Sequence, residues 1–258
     1  MGGGRLGALC LVALGGAFLL IASLLAVEVA YIGPESIARV LSDPEIRHAI
    51  YLSLATSTLA ALLALFLALP ASYALARIPF KGRWLVDLMI DLPIVLSPVA
   101  VGVCLLLLFR TSPGRFVEEN FLRFVFEVPG IILAQFIVSL ALAIRVMKAA
   151  FEEVDVRLEQ VARFLGSTPF AAFRRVTLPL ASRGVLAAFI LAWARALGEF
   201  GATVTLAGAV AGKTETIPVA IHLRLSMVDI DGAVALMVVL TLTSFMALVG
   251  IRIVGRRF

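Results

Sequence analysis

Few side chains in this sequence have the type and spacing to do chemistry, and those few sit inside apolar runs. Arg195 and Glu199 stand four apart in Ala194-Arg-Ala-Leu-Gly-Glu-Phe-Gly-Ala-Thr203, so on a helix they lie one above the other. Charges at membrane depth are expensive and must pair or face water. The pair therefore reads either as a mutual salt bridge or as part of a gate that sets the field along a path through the membrane. Gly198 and Gly201 beside it would let another helix approach closely. Asp91 opens Asp91-Leu-Pro-Ile-Val-Leu-Ser-Pro98; it and Glu199 are the only acids placed to couple an ion. His48 and His222 stand alone, and Cys10 and Cys104 read as small packing residues. No metal-ligand spacing occurs. Ala207-Gly-Ala-Val-Ala-Gly-Lys-Thr214 fits a permissive phosphate-loop pattern, but such a loop needs a preceding strand and a following helix, and this one follows an apolar span. No Gly-x-Ser-x-Gly, His-Glu-x-x-His or paired-Asp signature is present, so an intramembrane enzyme has nothing to work with.

The elements that must position these residues are set by composition. The chain is 62% hydrophobic and 15% charged, with mean hydropathy +1.07, so lipid is its solvent. Six stretches, near 6–27, 52–76, 88–109, 128–145, 184–210 and 233–251, are long enough or nearly so to cross about 30 Å of hydrocarbon as helices. An open sheet would leave backbone groups unpaired in lipid, and the runs lack a barrel's alternation. The first apolar run, about 22 residues behind Arg5, is too long for a secretory leader's core and is expected to remain as a helix. The sequence thus predicts an all-α integral membrane protein of six transmembrane helices, forming one domain over 1–258.

Orientation follows from the basic residues outside the spans. Fourteen of the 22 lie on one face and seven on the other, with Arg195 inside the fifth span. The richer face is cytoplasmic, which places both termini and the loop 146–183 inside and Lys213 outside. The net charge of +5 therefore reads as topology. No basic–aromatic interleaving points to nucleic acid. In the outer loop 28–50, Gly33-Pro34 is a turn signal and Asp43-Pro44-Glu45 a capped helix start. Pro93 and Pro98 each remove a backbone donor, so the third helix should bend or begin late, either for packing or beside the translocation path.

The loop 146–183 is too polar to span and too long to be a turn. Apolar residues at 154, 158, 161, 162 and 165 have helical spacing. Asp155 is placed to cap that helix and Glu159 to suit its dipole. Gly166 can end it as a residue of positive φ, and Ser167-Thr-Pro169 starts a second helix. The loop is predicted to be two short helices bent at Gly166, offering a compact knob to a partner.

Gln160-Val-Ala-Arg-Phe-Leu-Gly166, followed by Val176-Thr-Leu-Pro179, resembles the EAA-x3-G-x9-I-x-L-P signature of type I ABC importer permeases. The match holds at Ala162, Gly166, Leu178 and Pro179. It departs at Gln160, Val161 and Val176, and Glu159 sits one place early. The stretches 91–98, 194–203 and Gly212-Lys-Thr-Glu-Thr-Ile-Pro218 are similar to the molybdate branch of that family, whose relatives carry tungstate and sulfate.

The resemblance implies a plasma- or inner-membrane permease with no catalysis of its own. Glu159, Gln160, Ala162, Arg163, Gly166, Leu178 and Pro179 would couple it to a dimeric ATPase that binds the ATP, so the chain needs no cofactor. A second copy would complete the pathway, and an outer binding protein would deliver a tetrahedral oxyanion, molybdate or tungstate first. Asp91, Pro93, Ser97, Pro98, Arg195, Glu199 and Gly201 are the pathway or gate candidates. The alternatives are a sulfate or thiosulfate permease and an ion-coupled secondary transporter.

Overall fold

The computed structural model describes residues 3–31 and 42–255, which leaves the Gly33-Pro34 turn, Arg39 and both extreme termini outside the described residues. Every regular element among them is helical. In chain order they are α1 (Gly3–Tyr31), α2 (Pro44–Arg77), α3 (Arg83–Val95), α4 (Pro98–Arg110), α5 (Ser112–Asn120), α6 (Val128–Glu153), α7 (Val156–Phe164), α8 (Pro169–Leu180), α9 (Ser182–Leu197), α10 (Gly201–Ala207), α11 (Ile217–Ser226) and α12 (Ile230–Gly255).

Among the described residues three helices are long and apolar enough to cross a membrane unaided: α1, α2 and α6. The count reaches five if each of two bent pairs, α3 with α4 and α8 with α9, makes one span. The bend expected at Pro93 and Pro98 is real and large. The chain turns by 112° between α3 and α4, with Pro98 in the first turn of α4 and the Ser97 hydroxyl accepting the amide of Ala100 at 3.3 Å. The expected start at Asp43 is also present, its carboxylate accepting the amide of Glu45 at 2.9 Å.

Helices α2 and α6 form the spine. Leu52 clusters with Ile131 at one end, and Leu75 clusters with Phe151 and Val154 at the other, so the two run parallel. Their seam is small: Ala60, Ala61, Ala64, Ala68, Ala134 and Ala143 are fully buried. Small residues let backbones approach where lipid supplies no hydrophobic drive between helices. Helix α9 closes the seam through Ala188, Ala192 and Ala196.

Three sequence expectations are corrected. The fourth span does not stop at 145; α6 runs on to Glu153, so Arg145 and Lys148 belong to a helix and the loop begins at Val154. The fifth span, expected over 184–210, ends at Leu197 and resumes as the short α10. The connection before 233, expected to be an outer loop, holds α11, whose Ile217, Val219 and Ala220 are buried and whose first amide is accepted by the Ser53 hydroxyl of α2 at 2.7 Å.

Candidate functional site

The loop after α6 folds as its caps dictate. The Asp155 carboxylate accepts the amide of Arg157 at 2.9 Å and opens α7. At the other end Gly166 sits at φ +89°, its amide donates to the carbonyl of Arg163, and the amide of Ser167 donates to that of Ala162, both at 3.0 Å. This is a Schellman closure, which needs a left-handed residue after the helix. A Cβ at Gly166 would meet open space, so backbone conformation alone selects glycine. The Thr168 hydroxyl then accepts the amide of Ala171, with Pro169 in the first turn of α8. Phe173–Thr177 in α8 is a π-helical turn, within the run that carries Val176-Thr-Leu-Pro179.

Glu159 is the anchor of this loop. It is buried, and its carboxylate accepts from the Tyr73 hydroxyl (2.9 Å), from Arg77 Nε (3.2 Å) and from the Thr177 hydroxyl (2.5 Å). Arg77 also donates to the carbonyl of Val154 at 2.5 Å. Tyr73 meets Phe151 and Phe173 edge-on at 5.9 and 4.6 Å between ring centres. Thus α2, α7 and α8 are tied at one carboxylate, and Arg77 joins the residue that follows α6 to the same cluster. The opposite side of the knob is bare. Phe164 and Leu165 are 90% and 83% exposed, with Val161 and Phe170 beside them in sequence also exposed. Gln160, Arg163, Phe164, Ser167 and Pro169 line an open depression of about 410 Å³. Sequence reasoning named Gln160, Arg163 and Gly166 here but missed Phe164, Leu165 and Phe170. Large apolar residues at the tip of a polar loop were the signal available. Ala162 and Leu178 are half-buried and Pro179 exposed.

The pathway candidates separate into two places. Pro98 and Gly201 come together: a Cβ on Gly201 would lie 3.0 Å from Pro98 Cβ and from the Val99 amide. Next to this crossing, Arg195 Nη1 lies 2.7 Å from Glu199 Oε2, and Glu199 Oε1 accepts the amide of Ala202 at 2.9 Å. Glu199 is wholly buried while the Arg195 side chain is 35% exposed. Gly198 ends α9 and meets only its own preceding turn. Ser97, at the 112° bend, is exposed.

Asp91 and Pro93 belong elsewhere, on α3, which has no buried residue. Its inner edge carries Arg83, Asp87 and Asp91 at four-residue spacing. They meet Glu152, Lys148 and Arg145 of α6 in reverse order: Arg83–Glu152 at 3.6 Å, Asp87–Lys148 at 3.0 Å, and Asp91 paired with Arg145, which also reaches Asp87 at 3.4 Å. Asp91 is thus a rung of an ionic ladder.

The Ala207–Thr214 run turns on Gly208 and Gly212, both at positive φ, directly after helix α10. The Thr214 hydroxyl closes the turn by accepting the Val210 amide at 3.1 Å. No strand precedes it, so this is not the strand–loop–helix frame that cradles phosphate.

Residues 60–258 match the model of a family described as "Binding-protein-dependent transport system inner membrane component". The Molybdenum transport system permease protein ModB of Escherichia coli (strain K12) is 41% identical over 190 residues, covering 71% of this chain and 81% of its own. The Sulfate transport system permease protein CysW of Synechococcus elongatus is 36% identical over 180 residues, covering 69% and 63%. Two crystal structures of a bacterial alginate ABC transporter, one in complex with alginate pentasaccharide-bound periplasmic protein, superpose with TM-scores of 0.78 and 0.77 at 18% identity. They cover 98% of this chain and 96% and 94% of theirs, which shows a shared fold.

Proposed function

The chain belongs to the family of binding-protein-dependent transport system inner membrane components, and from that premise we propose that it is the permease subunit of an ATP-driven importer of molybdate. The observation that carries the reading is the knob: a loop fixed from within at Glu159 and bare outside at Phe164 and Leu165. An apolar tip on a polar cytoplasmic loop is costly unless a partner covers it. An ATPase subunit seated there would transmit its closure through Glu159 to α2 and α6. The chain is a transport component and not an enzyme; ATP is bound by that partner.

Two copies of this chain would complete the pathway, each contributing the crossing at Pro98 and Gly201 and the half-buried Arg195. An outer binding protein would deliver the anion, and each protomer would cross the membrane six times, with both termini inside. Molybdate is favoured by the similarity to the molybdenum permeases, with tungstate the same size class and sulfate the alternative.

The test is transport in liposomes holding the chain, its ATPase and its binding protein. Molybdate uptake should require ATP on the side of the α7–α8 knob. Glu159→Ala, which frees the knob, should release the ATPase and stop uptake while the protein still inserts. Uptake by the isolated chain on an ion gradient would refute the reading; sulfate uptake at equal efficiency would move the substrate and keep the mechanism.

A further inference from the structure

Between α2 and α6 on the outer surface of the bundle runs an apolar groove of about 500 Å³ that the transport reading does not use. Leu63 and Phe66 form one wall, Ile132, Leu133 and Phe136 the other, and Leu122 caps one end. From Pro129 to Phe136 it follows α6 for about 10 Å at 1.5 Å per residue, a third of the hydrocarbon depth. Leu59 and Leu67 extend it along α2, and every lining side chain is apolar.

The capped end is built and charged. Leu122 and Phe124 both line the groove, and Arg123 between them is exposed. The turn that holds it is fixed: Glu118 accepts the amides of Phe124 and Val125 at 3.0 and 2.8 Å. Phe124 stacks on Phe109 at 5.0 Å, and the Phe126 amide donates to the carbonyl of Leu206 at 3.1 Å. Arg110 and Arg115 flank the same amphipathic segment, whose Phe116 and Phe121 are exposed and in edge contact at 6.0 Å. None of these three arginines has an acidic partner among the described residues. Exposed aromatics with unpaired arginines mark a segment lying at the level of the lipid headgroups.

We propose that this groove is a binding site for an anionic phospholipid, with an acyl chain between α2 and α6 and the phosphate held by Arg123. A guanidinium gives the phosphate a forked, charge-assisted contact, and the groove gives the acyl chain apolar walls on both flanks. The proposal stands apart from the substrate and from the ATPase contact.

Native mass spectrometry of the intact complex in detergent, titrated with phosphatidylglycerol and separately with phosphatidylcholine, tests it. Phosphatidylglycerol should be retained preferentially. Arg123→Gln, an exposed change that leaves the fold intact, should weaken its retention about tenfold, the scale of one charged hydrogen bond. Ile132→Trp, which fills the groove, should abolish it even with Arg123 present. Equal retention of the two lipids, or retention unchanged in Arg123→Gln, would overturn the assignment. So would a disulfide between copies from Leu25→Cys in α1 to Ile132→Cys, since a second chain would then occupy the groove.

Discussion

Asp87 of α3 and Lys148 of α6 lie 3.0 Å apart and form the middle rung of the ladder that fastens an otherwise unburied helix to the bundle. Their side chains are 23% and 13% exposed, between a surface pair and a buried one. Removal of one partner should cost more than the median surface pair and less than a fully buried one, about 1–3 kcal/mol. Asp87→Asn should lower the thermal stability of the detergent-solubilised protein, and so should Lys148→Gln. Exchanging the two (Asp87→Lys with Lys148→Asp) should recover little, because Arg145 would then face a lysine. Full recovery in the exchanged variant would show that Arg145 does not share Asp87.

Gly166 gives a cleaner separation of causes, because its surroundings are empty and only its φ of +89° restricts it. Replacements should rank by their tolerance of the left-handed region. Asn should cost least, Ala roughly 1–2 kcal/mol, and Val most. The readout is ATPase association and protease sensitivity of residues 154–180, with insertion unchanged. If Asn and Val behaved alike, the Schellman closure would not be what holds the knob.

What the sequence made legible was local. Asp155, Gly166 and Thr168-Pro169 end and start helices through bonds within four or five residues, so the knob could be drawn from its caps. Pro98 likewise announced the bend before α4. Illegible were the features that depend on a distant partner. Helix α6 passes Arg145 because Arg145 and Lys148 find Asp91 and Asp87 on α3, some fifty residues earlier, and a hydropathy window stops at the charges. Glu159 was placed in α7, yet its role as anchor needed Tyr73 and Thr177. The short α11 was illegible for the same reason: the amide that opens it, that of Ile217, finds its acceptor in the Ser53 hydroxyl of a distant helix.

Glu215, in the turn before α11, supplies a pH dependence. Partial burial, with the nearby carboxylates of Glu45 and Asp43, raises its pKa above the ordinary 4.5, against a smaller opposing pull from Arg224. A carboxyl with a raised folded pKa binds its proton more readily in the folded state. Its contribution is therefore fully present below pH 4.5 and lost as pH rises through the raised value. Above that raised value the group is ionised and unfavourable. Glu215→Gln should raise the melting temperature at pH 7, and the gain should shrink to nothing as the pH falls below 4.5. A gain that did not change with pH would assign the effect to packing.

Arg195 and Glu199 are not equivalent partners, and this governs what their substitution can show. Glu199 is buried, and besides its ion pair it caps the start of α10 through the Ala202 amide. Arg195→Ala leaves that carboxylate without its cation at membrane depth, a loss on the order of 3–5 kcal/mol. The exchange of Arg195→Glu with Glu199→Arg should not restore stability, because an arginine has no acceptor for the Ala202 amide. The paired neutral variant, Arg195→Gln with Glu199→Gln, should fold: glutamine's carbonyl keeps the cap and no charge is stranded. If the 35% exposed guanidinium supplies the positive field of the anion path, that folded neutral variant should still couple to the ATPase and yet import molybdate far more slowly. Uptake at the unsubstituted rate in a stable neutral variant would reduce the pair to a structural clasp between α9 and α10.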